Sequence, residues 1–140
     1  MSESHIIRYY QNILCYYVFM HKIPRKADFE DSRGIISDLI LEEIHGVTHI
    51  TFEKGAVRGN HVHKETTQWK YILCGSLTLA TLNSTGDVVE IKGEKGDLFV
   101  SKPGEPHAMK ALEYSEMLVF TRGPRLGDGY DSDTFKVKIL

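Results

Sequence analysis

Beyond residue 20, apolar and polar positions alternate in short runs, and glycines or polar turn residues separate one run from the next. The runs Ile35–Glu42, Val47–Phe52, Trp69–Cys74, Ser76–Leu82, Asp87–Ile91, Leu98–Ser101, His107–Leu112 and Met117–Arg122 hold most of the β-branched, aromatic and aliphatic residues. A period of two sustained over roughly four to eight residues marks strands with one buried face. Gly75 divides two of these runs, Asn83-Ser84-Thr85-Gly86 makes a turn, and Gly93 to Gly96 makes another. Thr134–Leu140 alternates apolar and charged residues, as a half-exposed strand does. No long stretch follows the helical period. The pattern predicts an all-β chain, and many short strands joined by glycine turns predict a double-sheet jelly roll. Neither an internal repeat nor a low-complexity segment interrupts it.

At 140 residues the chain is long enough for one domain with a sizeable core and too short for two comfortable ones. Residues 21–140 read as that domain and residues 1–20 as an amino-terminal extension. Ile13–Met20 is an apolar run, far shorter than a membrane span. Arg8 precedes it, but His21-Lys22-Ile23-Pro24 follows where a signal peptide would have small residues for cleavage. The extension is therefore expected to have no targeting role. It is either an upstream addition to a chain starting at Met20, or an element packed on its own barrel or on a second subunit.

Composition narrows the class. Hydrophobic content of 41% and charged content of 26% are those of an ordinary globular protein. A net charge of -2 and a pI near 6.4 give no basic footprint for nucleic acid. With only two cysteines, Cys15 and Cys74, no disulfide framework is implied, and a reducing cytoplasmic location is expected.

Chemistry concentrates in two stretches. The first runs from Gly55 through Arg58, Gly59, His61, His63 and Gln68 to Gly75; the second runs from Gly96-Asp97 through Pro103-Gly104 to His107. In a strand, residues two apart share a face, so His61 and His63 project together while Val62 faces away. Two imidazoles aimed at one point can hold a divalent metal or share a proton transfer. A lone His-x-His is a weak signal, but here both stretches have the spacing of the double motif of the cupin superfamily, glycines included. The second departs from that motif: Pro103 directly precedes Gly104, and the usual downstream Asn is absent from Ala108–Ala111. The resemblance implies a double-stranded β-helix, the cupin jelly-roll barrel. It also implies a ligand set of His61, His63, Gln68 and His107.

That set leaves the cofactor open. Gln68 stands where many cupins place a glutamate, so a bound dication would have no protein anion to offset its charge. Imidazole-rich sites still suit Zn, Ni or Cu. Alternatively no metal binds, and one histidine serves as general base.

Flanking residues point toward a sugar. Arg58-Gly59-Asn60-His61-Val62-His63-Lys64, with Gln68 beyond, resembles the signature of nucleotide-sugar 3,4-ketoisomerases, cupins acting on dTDP-4-keto-6-deoxyglucose. Asp31-Ser32-Arg33-Gly34 resembles a turn shared by those enzymes and dTDP-4-dehydrorhamnose 3,5-epimerases, and Gln68-Trp69-Lys70 resembles the Gln-x-Lys of the epimerases. Tyr130–Thr134 is similar to the start of the ketoisomerases' carboxy-terminal strand. The resemblance implies that His61 and His63 shuttle protons through an enediol, with Lys70 as a further catalytic residue. Arg58 would bind phosphate or steady enolate charge, while Arg33 and Gln68 would help place the substrate. Arg33 equally fits a surface ion pair, and Lys70 a solvated barrel residue. By parity Trp69 and Tyr71 belong to core or dimer contacts, and Arg122 and Arg125 to a solvated turn. The second motif, with His107, also resembles small metal cupins that act on unsaturated uronates; a non-enzymatic sensor or storage cupin is the third class. The expected partners are a small carbohydrate and a second copy of the chain in a two-fold homodimer, since open sheets leave edges to cover.

Overall fold

The alternating runs fold into two five-stranded sheets. The computed structural model describes residues 20–140, and in chain order its strands are β1 (His21–Lys22), β2 (Phe29–Asp31), β3 (Gly34–Ile36), β4 (Gly46–Phe52), β5 (Val57–His63), β6 (Thr67–Cys74), β7 (Ser76–Leu82), β8 (Val88–Glu94), β9 (Leu98–Ser101), β10 (His107–Ala111), β11 (Ser115–Arg122) and β12 (Thr134–Lys136), with one short helix, α1 (Gly129–Ser132), before β12. One sheet runs β1-β9-β6-β11-β4 and the other β12-β5-β10-β7-β8, while β2 and β3 form a separate hairpin. Neighbouring strands pair antiparallel throughout. This is the expected jelly roll.

Inward positions change character along each strand. On β6 the inward series is Gln68, Lys70, Ile72; on β10 it is His107, Met109, Ala111; on β11, read backwards, it is Thr121, Val119, Met117. The apolar ends join Phe52, Leu77, Leu79 and Phe99 in the main core. The polar ends share the opposite half of the interior. Burying apolar area at one end stabilises the barrel, at about 25 cal/mol per Å². It leaves the other end free to hold chemistry. Outside the first sheet, Trp69, Leu98 and Val100 pack with Ile23, Ile40, Ile44, Tyr71 and Phe120. Trp69 and Tyr71 thus fall on the face opposite Lys70, as their parity requires.

Two runs are shorter as strands than their composition predicts. Ile35–Glu42 yields a strand only to Ile36, because the Asp28 carboxylate accepts the Asp38 N–H at 2.7 Å and diverts the backbone from a ladder. The carboxy-terminal strand stops at Lys136. Beyond it the Asn60 side-chain oxygen takes the N–H groups of Ile139 and Leu140, at 2.9 and 3.0 Å. That tail covers Ala80 and Ala108 on the outer face of the second sheet. The amino-terminal extension lies outside the described residues except for Met20, which is buried in the main core.

Candidate functional site

A defect in strand β5 builds the site. His107 pairs with His61 and Ala108 with Gly59, so Asn60 is an extra residue on β5. Gly59 (φ 87°) and Asn60 (φ 54°) both take left-handed backbone there. A Cβ on Gly59 would lie 2.8 Å from the His107 carbonyl oxygen, so only glycine lets the two strands meet. The bulge shifts parity by one residue. Arg58, an odd interval from both histidines, therefore joins His61 and His63 on the inner side and pairs with the inward Met109.

Three imidazoles converge. Ring centroids are 4.6 Å apart for His61 and His63, 4.8 Å for His61 and His107, and 5.6 Å for His63 and His107. One ring nitrogen from each falls within 4.8 Å of the others. His107 Nδ1–H donates to the Glu105 carbonyl at 3.1 Å, and His63 Nδ1–H donates to the Asp133 carbonyl at 3.2 Å. Both Nε2 atoms are left as bare lone pairs. His61 Nε2–H can donate to that of His107 at 3.1 Å, whereas that of His63 is buried without a hydrogen-bond partner. The carboxylate of Asp133 fixes this arrangement: it accepts from the N–H groups of Lys64 and Glu65, both at 2.9 Å, and from the Thr66 hydroxyl at 2.6 Å.

Electrostatics keep the cluster neutral. Burial, then the His63 ring and Lys70, push His61 down to about 4. Burial also holds His107 far below its ordinary value, helped by Lys70 and His61. For His63, burial outweighs the Asp133 carbonyl and carboxylate, with Lys70 and Arg125 adding to the depression. Lys70 is fully buried, bonded to Ser101 Oγ at 2.6 Å, and burial lowers it to about 7 against the opposing pull of Glu105.

These groups surround a cavity of about 180 Å³ lined by Arg58, His61, Gln68, Lys70, His107, Arg125 and Tyr130, with Thr48, Ile50, Gly59, Met109, Val119 and Thr121. His63 stands behind His61, outside the wall. Among the described residues no carboxylate lines the cavity. Of the residues singled out in the sequence, His61, His107, Gln68, Lys70 and Arg58 thus share one wall. Arg33 does not join them: it sits on the β2–β3 hairpin, exposed and ion-paired with Asp31 at 2.6 Å. Lys70 is buried and not solvated. Arg125 lines the cavity from the loop after β11, where its sequence suggests an exposed turn. Ser101 lacked a local signal, and Tyr130 and Asp133 were marked only by the likeness of Tyr130–Thr134 to a strand start, because their roles depend on which strands adjoin them.

Residues 48–121 match the family described as "Cupin domain". The chain belongs to the cupin family. Within it, a 91-residue stretch is 32% identical to an oxalate decarboxylase of Bacillus subtilis, covering 63% of this chain and 23% of that protein. The cupin thus spans under a quarter of the length of that curated relative. By structure it is similar to a dTDP-4-dehydrorhamnose 3,5-epimerase from Sulfolobus tokodaii, with TM-score 0.65 and 18% identity over 85% of this chain and 76% of the other. It is also similar to a sugar 3,4-ketoisomerase from Thermoanaerobacterium thermosaccharolyticum solved in complex with TDP, with TM-score 0.65 and 21% identity over 83% and 86% of the chains. At such identities these likenesses show a shared fold.

Two of the cupin's three clustered histidines stand at the spacing of a divalent-ion site. Bonds of about 2.0–2.1 Å place neighbouring ligand nitrogens roughly 3 Å apart, and carbonyl-anchored Nδ1–H groups are the usual support for ligating imidazoles. The His61–His107 separation of 3.1 Å meets that distance, whereas the three ring nitrogens spread over as much as 4.8 Å, so His63, whose Nε2 is an orphaned lone pair, would have to draw inward to join them. His61, His63 and His107 could hold the ion, with Gln68 in the adjoining wall. Every one of these donors is neutral, and Lys70, Arg58 and Arg125 add positive charge nearby. An ion here would therefore depend on an anionic ligand to balance it.

Proposed function

We propose that this cupin isomerises or epimerises a keto sugar, nucleotide-linked in the manner of 3,4-ketoisomerases, by histidine proton transfer. The observation that supports this best is a wall of neutral imidazoles beside Arg58 and Lys70 with no carboxylate among the lining residues. Such a wall suits a reaction whose intermediate is an anion. His61 faces the cavity and, neutral at pH 7, takes a proton from the carbon beside the sugar carbonyl. The Arg58 cation, joined by Lys70 where it keeps its proton, stabilises the enediolate oxygen that develops. Neutral His63 and His107 hold the His61 ring and share its proton before it returns to the former carbonyl carbon, while the hydroxyl proton of the first carbon passes to the former carbonyl oxygen. Gln68 offers the sugar hydroxyls one amide in the same wall.

Incubating the cupin with dTDP-4-keto-6-deoxyglucose in heavy water tests this. Deuterium should enter the carbon next to the carbonyl, and His61→Asn should slow that exchange by about 100-fold or more, the scale of a lost acid–base group. Absence of exchange with any keto sugar would overturn the reading.

A second reading is supported by the three-histidine set: a cupin that uses a divalent ion, Zn or Ni among the candidates, on uronate-type keto sugars. The ion would supply Lewis-acid polarisation of a carbonyl. Elemental analysis of untagged protein before and after dialysis against chelator separates the two. We further infer a cytoplasmic homodimer; Phe29, Ile35 and Ile36 leave an apolar hairpin face exposed, in keeping with a second copy covering it.

A further inference from the structure

We propose that Arg125 is an anion-binding, specificity-determining residue of the cavity, recognising a phosphate or carboxylate oxyanion of the ligand. The inference rests on the cavity being the ligand site, as in the proposed function, but not on proton transfer.

Arg125 is held in position without being neutralised. Its guanidinium donates to Thr48 Oγ1 at 2.9 Å and stacks 4.6 Å over the ring of Tyr130. Thr48 anchors it from strand β4 and Tyr130 from helix α1, so both ends of the contact belong to the cavity wall. Among the described residues no carboxylate pairs with it. By contrast Arg33 and Arg122 have acidic partners, Asp31 and Glu42. Arg58 across the same cavity is likewise unpaired, its guanidinium 5.5 Å over the Phe52 ring. Two guanidiniums fixed by a hydroxyl and by aromatic faces, in a wall with no acid, retain most of their planar donor forks for a ligand. That geometry matches a bidentate oxyanion. The hydroxyl and stacking contacts fix the side chain beforehand, which lowers the ordering cost of binding.

Two sources could bring the oxyanion: a nucleotide diphosphate or a carboxylate on the sugar. Titration calorimetry of the full chain with TDP, with D-galacturonate and with thymidine as the uncharged control distinguishes them. Wild type is expected to bind TDP or galacturonate far better than thymidine, and the better of the two identifies the source. Arg125→Gln should weaken that anion roughly 10- to 100-fold, the scale of a lost charge-assisted hydrogen bond. Arg125→Lys should recover part of the loss, which a packing role against Tyr130 would not predict. Arg122→Gln, on the outer face, should bind as wild type does. In turnover with whichever keto sugar proves to be a substrate, Arg125→Gln should raise KM more than it lowers kcat. Equal anion affinity in wild type and Arg125→Gln, or no anion binding by wild type, would overturn the proposal. Failure of deuterium exchange with intact, Arg125-dependent anion binding would instead reject the isomerase reading alone.

Discussion

Lys70 shows how one residue can oppose folding and serve a site. Its ammonium is stripped of water inside the barrel and donates to the hydroxyl of Ser101. Burial lowers its pKa from 10.5 to about 7. Between these values the unfolded chain binds a proton that the folded chain has released, so stability rises with pH across that window. Below it the folded protein carries the full cost of a buried cation. Lys70→Met is therefore expected to stabilise the protein at pH 7 by on the order of 2 kcal/mol, while slowing turnover. Urea unfolding of both forms from pH 7 to 10 checks this: the gap should close as pH rises. A variant less stable than wild type at pH 7 would show that the ammonium is satisfied in place.

At the scale of elements, the β5 bulge decides which residues meet. Strict alternation would send Arg58 outward if His61 and His63 point inward. The extra Asn60 reverses that and also secures the carboxy-terminal tail through Ile139 and Leu140. Gly59→Ala must keep φ at 87° and push a methyl group against the His107 carbonyl. We expect a loss of about 2–3 kcal/mol in stability, from backbone strain and the clash together. Ligand affinity should fall as well, because relaxing the bulge would turn Arg58 away from the cavity. Thermal melts and TDP titration report the two effects separately. An unchanged melting temperature would mean that the bulge is not under this constraint.

For the whole molecule, two sheets facing each other end, among the described residues, in the edge strands β1, β4, β8 and β12, and the β2–β3 hairpin presents Ile35 and Ile36 more than half exposed. Covering such surface favours association, and light scattering is expected to give about twice the 15.9 kDa chain mass at micromolar concentration. A monomer would refute the dimer. The fold class was legible in the chain because a period of two is a local property, set by each strand's own residues. His61, His63 and His107 were legible for the same reason, through motif spacing. Their convergence with Lys70 and Gln68 also followed parity, since inward faces in one barrel must meet. Arg125's place in the cavity was not legible, and Tyr130 and Asp133 were marked as part of a strand start without their roles, since their environments come from strands and loops distant in sequence. The burial of Lys70, the exposure of Arg33 and the absence of an acid among the described residues of the cavity wall are likewise outcomes of packing. Sequence determined which residues could face inward; tertiary structure alone decided which charges lost their water, and burial is what sets the chemistry of each.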